Sequence, residues 1–208
     1  MPGACGPIDL HGAQPMMRAM IDAISPPPAK LRIPYPDPET LSPEKRQIYD
    51  TFSPMLNIMK ILMVAPDPFW RGQRALGRSA VVDTSISDQH RELLVLRVAY
   101  LSNSDYELYH HLPLGKTAGL SDAKCEAMRT GDFTVLDDQE RALAQFVTEL
   151  VVDISPTDET LAAVRAYFPD PQLFEIIMIV GYYMLIARVI AVSGIEMDEA
   201  AVQNWTKP

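Results

Sequence analysis

Apolar positions recur along the chain at helical spacing, and no stretch alternates in the way of a half-buried strand. The densest signal is residues 88–102, DQHRELLVLRVAYLS, apolar on nearly every side. A second helix follows a short polar break, over residues 104–119. Punctuation places the other elements. Ser42 as N-cap with Pro43 at the first helical position predicts a helix to about Phe52. Pro54 opens a helix over MLNIMKILMVA, which Pro66-Asp67-Pro68 closes, and Phe69 to Val82 forms the next. Ser87 or Asp88 caps the central helix, and Ser121, just after Gly119, starts a short one to Arg129. Asp137 or Asp138 opens a helix with apolar residues at 143, 146, 147, 150 and 151 on one face. Pro156 and Thr157 open another, to about Tyr167. Pro169 and Pro171 form the last break, before a strongly apolar helix from Leu173.

The pattern predicts an all-α fold of about eight to ten helices with short connectors. Residues 41–208 form the helical domain. Residues 1–40 form a proline-rich arm, with a short Met-rich helix over 13–25 and an extended run over 26–40, where Pro26, Pro27, Pro28, Pro34, Pro36 and Pro38 forbid a regular helix. The arm is expected to run over the body or onto a neighbouring subunit. The apolar helix from Leu173 has an uncharged run of only 12 residues, between Glu175 and Arg188. A membrane span needs about 20, so this helix is expected in a core or a subunit interface.

Composition narrows the functional classes. A net charge of -9 gives no basic field for nucleic acid or for an anionic membrane. Cys5 and Cys125 stand 120 positions apart, too far for a zinc or disulfide framework. Cys125 is expected to be a small buried side chain, and a reducing, cytoplasmic setting fits.

The candidate chemistry lies in the second helix. At 100° per residue, Ser104, Glu107 and His111 share one narrow face with Leu108, Gly115 and Ala118, while His110 points about a quarter-turn away. A glutamate four residues before a histidine can orient it, which makes a general acid/base arrangement. Pro113 frees the carbonyl of Tyr109 just past His111. Tyr100, Tyr106 and Tyr109 flank the row. Arg97 interrupts an otherwise apolar helix; a carboxylate partner such as Glu92 is the favoured expectation for it, with a substrate-carboxylate clamp as the alternative. Arg71, Arg74 and Arg78 share a helix face, expected to be solvated. Glu107-Leu108-Tyr109-His110 reads as Glu-x-x-His, but a di-iron site needs a second copy, so no metal is expected.

Glu92, Ser104, Glu107 and His111 spell E-x11-S-x2-E-x3-H, set within RELLVLRVAYL and YELYHHLPLGKTAGLS. This resembles the carboxymuconolactone decarboxylase superfamily, which includes the alkyl hydroperoxide reductase D-type (AhpD) proteins. The likeness covers roughly residues 45–195. The redox branch carries cysteines where this chain has Ser104 and Glu107, which disfavours peroxidase or disulfide chemistry. The resemblance implies a compact all-helical homo-oligomer, a trimer or hexamer. It implies catalytic roles for His111, Glu107 and Glu92, with Ser104, His110, Arg97 and Tyr106 as candidate substrate contacts. The implied activity is a cofactor-free lyase, decarboxylating a lactone or unsaturated acid from aromatic breakdown. A hydrolase, isomerase or dehydratase using the same residues is the enzymatic alternative, and a catalytically inactive ligand-binding module the non-enzymatic one.

Overall fold

The computed structural model describes residues 30–52 and 55–202. Within them it is all-α: nine α-helices and no strand. They are α1 (Pro43–Thr51), α2 (Asn57–Leu62), α3 (Asp67–Arg78), α4 (Asp88–Leu101), α5 (Asp105–Thr117), α6 (Asp122–Thr130), α7 (Asp138–Val152), α8 (Asp158–Arg165) and α9 (Asp170–Ser193). A short π-helical segment, Ser79–Asp83, extends α3. The Met-rich helix expected over 13–25 and the first prolines of the arm lie outside the described residues.

α4 is the central element. It packs against α5, α6, α7 and α9, and Leu93, Leu94, Val95, Leu96, Val98 and Ala99 are wholly buried. A helix apolar on every side can be satisfied only by neighbours all round it. Each fully buried leucine or valine contributes about 1.5 to 3 kcal/mol, so this helix contributes a large share of the fold's cohesion. Phe146, Val147 and Leu143 of α7 and Ile176, Ile179 and Val180 of α9 close the same core.

Helix starts follow their caps. Ser87, Ser121 and Thr157 each accept a hydrogen bond from the backbone N–H three residues on. Asp137 and Glu140 form a reciprocal capping box at α7. Prolines place two starts differently from expectation. Asp67 begins α3 instead of ending the helix before it, and α9 begins at Asp170, because Pro68 and Pro171 sit in the first turn, where a missing N–H is not needed. α2 starts only at Asn57, after Leu56 in an extended conformation.

α9 is long and apolar enough to cross a membrane by length and composition, and 39% of its apolar window is buried inside the molecule. Ile179, Val180, Tyr183 and Ile186 face the core, while Phe174, Ile177, Met178, Leu185 and Val192 are exposed. The described part of the arm lies at the far end of this helix. Arg32 N–H donates to Ser193 O at 2.7 Å, and Lys30 O sits so close over Gly194 that a β-carbon there would overlap it. Gly194 is also left-handed, with φ 66°, so both space and backbone call for glycine.

The C-terminal segment returns over α5. Asp198 accepts from the backbone N–H of Asn57 at 2.9 Å, from His110 Nε2 at 3.0 Å and from the Tyr106 hydroxyl. Val202 N–H donates to His110 Nδ1 at 3.1 Å. One carboxylate therefore joins α2, α5 and the tail. Asp198→Ala leaves these donors without an acceptor, and a loss of about 2 to 4 kcal/mol is expected. Urea unfolding of the variant checks this; an unchanged midpoint and slope would show that the tail adds nothing to the fold.

Candidate active site

The geometry begins with a close approach of α4 and α5. Gly115 makes it possible: a β-carbon there would lie 3.1 Å from Leu120, 3.3 Å from Leu96 and 3.8 Å from the Glu92 β-carbon. One turn earlier on the same face is His111, whose Nδ1 meets Glu92 Oε2 at 2.7 Å. Both side chains are buried. A carboxylate at Nδ1 holds the proton there and leaves the lone pair on Nε2. Nε2 has no hydrogen-bond partner among the described residues.

Glu92 is itself anchored. Its Oε1 accepts from Arg91 Nε at 3.2 Å and Nη2 at 3.0 Å, and Arg91 Nη1 bonds Asp88 at 2.8 Å and Val81 O at 3.2 Å. A buried carboxylate needs such pairing. Asp88, Arg91, Glu92 and His111 thus form a line running inward from the surface end of α4. Arg91 went unread in the sequence, where Arg97 drew attention as the cation inside the apolar run. The available signal was local: Asp88 and Arg91 are one turn apart, and Arg91 directly precedes Glu92.

Ser104 and Glu107 lie on the same face as His111. Ser104 is the N-cap of α5 and Glu107 is three residues on, the pattern of a capping box. The box does not form. Ser104 Oγ and both carboxyl oxygens of Glu107 are buried without a hydrogen-bond partner. The Asp137–Glu140 pair, at equivalent positions of α7, makes both bonds. Burial pushes the Glu107 carboxyl up from 4.5 to about 7; nearby Ser104 and His111 favour its charged form and offset part of this. Burial, aided by the charge of Glu107, pushes Tyr182 up to about 12. Tyr183 rises well above the usual tyrosine value through burial and then through Glu92, and its ring meets His111 edge to face at 5.2 Å. Gly77 of α3 gives the Tyr182 hydroxyl room that a β-carbon would occupy. Tyr182 and Tyr183, absent from the residues singled out in the sequence, are the aromatic members of this cluster.

Three of the candidate substrate contacts are engaged elsewhere. His110 uses both ring nitrogens, Nε2 toward Asp198 and Nδ1 toward Val202 N–H. Tyr106 donates to Asp198 and accepts from Ile58 N–H at 3.1 Å. Both belong to the tail anchor, a quarter-turn or more around α5 from His111. Arg97 has no carboxylate partner among the described residues. Its Nη1 donates to Met128 O at 2.7 Å and its Nε to Thr148 Oγ1 at 2.9 Å, and its guanidinium lies 5.2 Å from the Phe133 ring centre. Met128 is in the last turn of α6, so the helix's carbonyl end takes the place of the expected acid. No cluster of histidine, cysteine, aspartate and glutamate suited to a metal ion occurs among the described residues. Cys125 is buried, and burial pushes its thiol up to about 11.

No family model matches the sequence, and no curated protein does. Solved structures do match the fold. An alkylhydroperoxidase AhpD core from Ralstonia eutropha, an uncharacterized peroxidase-related protein, superposes with a TM-score of 0.67 at 19% identity, covering 81% of this chain and 92% of that one. An uncharacterized peroxidase-related protein from a Silicibacter species gives 0.67 at 15% identity, covering 84% and 95%. A protein of unknown function from Agrobacterium tumefaciens, named for AhpD and antioxidant defence, gives 0.59 at 20% identity, covering 65% and 93%. The chain therefore has the all-α AhpD-like fold.

The raised Glu107 carboxyl makes stability depend on pH. The unfolded chain gives up this proton near 4.5 and the folded one near 7. Folded protein thus binds the extra proton between those values, and stability falls as pH rises through that window. The wild type is expected to lose about 2 to 3 kcal/mol more between about pH 5 and pH 8 than Glu107→Gln, which cannot ionise. Urea titrations of both proteins at the two pH values test this, and parallel losses would mean that Glu107 ionises as an ordinary glutamate.

Proposed function

We propose that this chain is an acid/base enzyme that moves a proton at a carbon next to a conjugated carbonyl. The substrate class is a lactone or related unsaturated acid derivative, and the reaction is a lyase or isomerase step. The observation that carries this reading is the buried, unbonded row of Ser104 and Glu107 beside a histidine whose outer nitrogen is free. Buried polar atoms without partners are rare in native structures, and a bound ligand is one way to complete them.

In this reading His111 Nε2 takes a proton from the substrate carbon. Glu92 holds the ring's tautomer and stabilises the imidazolium that forms. Glu107, as a neutral acid below about pH 7, donates a hydrogen bond to the carbonyl oxygen where negative charge gathers. Ser104 supplies a second donor. Return of the proton to the far end of the conjugated system completes an isomerisation. Decarboxylation, which the resemblance implies, uses the same groups with His111 entering as imidazolium, its proton taken from solvent: the bond to the carboxyl carbon breaks, its electron pair enters the carbonyl system, carbon dioxide leaves, and imidazolium protonates carbon and returns to imidazole. The reading includes a homo-oligomer in a cytoplasmic setting. What supports assembly is the exposed apolar stripe of Phe174, Ile177, Met178, Leu185 and Val192 on α9.

His111→Ala is expected to lower turnover by about 10² to 10⁴, the usual contribution of a positioned acid/base, with the assembly intact. Deuterium uptake from solvent into a panel of unsaturated lactones, followed by NMR, measures this. Equal uptake by wild type and variant would sink the assignment.

Arg91 acts through Glu92 and is a positioning residue. Arg91→Met leaves Glu92 Oε1 without its donors and frees the carboxylate to turn away from His111, so kcat is expected to fall about tenfold with KM little changed, and Arg91→Lys to restore part of it. Steady-state kinetics on the folded variants checks this, and an unchanged kcat in Arg91→Met would assign Arg91 to folding alone.

A further inference from the structure

We infer that the substrate is uncharged where it meets Glu107: a lactone, ester or enone carbonyl is accepted there and an ionised carboxylate is rejected. The inference deepens the acid/base reading and rests on it.

Three observations carry it. First, the cation beside the dyad is already committed. Arg91 is the cation nearest the dyad, and its guanidinium is committed to Glu92, Asp88 and Val81 O. Arg97 is taken by Met128 O and Thr148, Arg71 by Glu44 and Arg78 by Asp83. Apart from His111, no cation among the described residues eases the charge on Glu107. Second, the orphaned groups have the right chemistry for a neutral acceptor. A protonated Glu107 and the Ser104 hydroxyl both donate, and a carbonyl oxygen has two lone pairs to receive them. Third, the surroundings are poorly solvating. Ser104, Glu107 and His111 are each at most 5% exposed, and the rings of Tyr182 and Tyr183 stand beside them. Glu107 already shows what this spot does to a carboxylate, since burial there raises its pKa from 4.5 to about 7. A second carboxylate would meet the same desolvation and, once Glu107 ionises, like-charge repulsion as well.

The consequence separates two reactions that share the same residues. A decarboxylase must bind its substrate as the carboxylate. A proton-shifting isomerase need not. A decarboxylase substrate would in addition have to hold its carboxylate away from Glu107.

The test uses the full chain and a matched pair of ligands: a butenolide ring bearing a methyl ester, and the same ring bearing the free carboxylate. Binding near pH 6 is followed by NMR through the carbon-bound ring protons of His111, assigned by their loss in His111→Ala. The ester is expected to shift these signals at concentrations roughly 100-fold below those the acid requires, in keeping with the displaced equilibrium of Glu107 itself. A carboxylate that shifts them at equal or lower concentration overturns the inference and leaves the acid/base reading in place. If neither ligand moves them, the site is not a ligand site, and the acid/base reading falls together with the inference.

Discussion

The 2.7 Å bond between Glu92 and His111 is the constraint around which the rest of the site is arranged. It crosses the interface of the two most tightly packed helices, inside an apolar core. A carboxylate there is tolerable only if its other oxygen is also satisfied, and Arg91 does that. The guanidinium in turn needs acceptors, found in Asp88 and Val81 O near the end of α4. The helices must also come close, which Gly115 permits. Each requirement follows from the one before it. The outcome is an imidazole whose tautomer is set by neighbours and whose outer nitrogen remains open.

Against that satisfied line, the unsatisfied one stands out. Ser104 and Glu107 have the sequence spacing of a capping box and do not make it. The Asp137–Glu140 pair shows that this fold can close such a box. Leaving buried donors and acceptors unbonded opposes folding by about 1 to 3 kcal/mol per group. Local preferences and overall stability both favour closing the box, so its being open is the feature that stability alone does not explain. Conflicts of this kind concentrate at functional sites.

Much of this was legible in the sequence, because helical periodicity is a local property. The row of Ser104, Glu107 and His111 follows from a rotation of 100° per residue, and the caps at Ser87, Ser121 and Asp137 follow from side chains that compete for backbone N–H groups. What was not legible depends on groups far apart in the chain. His110 and Tyr106 look like members of the site until Asp198, 88 and 92 residues downstream, takes both. Arg97 looks like the partner of an acid until α6 places a carbonyl end against it. Tyr182 and Tyr183 sit in a run so uniformly apolar that nothing in their spacing separates them from core residues.

The fold and the chemistry then rest on different grounds. Solved structures at 15 to 20% identity share the all-α arrangement, and a shared fold does not fix a reaction. The proposed chemistry depends on the two positions where the redox branch of the resembling superfamily carries thiols. A serine hydroxyl and a carboxyl cannot cycle between thiol and disulfide. They can, however, hold and donate protons, and the burial that would make a thiol sluggish keeps the carboxyl protonated, and so able to donate, up to near neutral pH. Ser104 and Glu107, set against the cysteine pair of the redox branch, do more than lack one activity. A neutral carboxyl beside the His111 imidazole, buried among apolar side chains, suits the transfer of a proton.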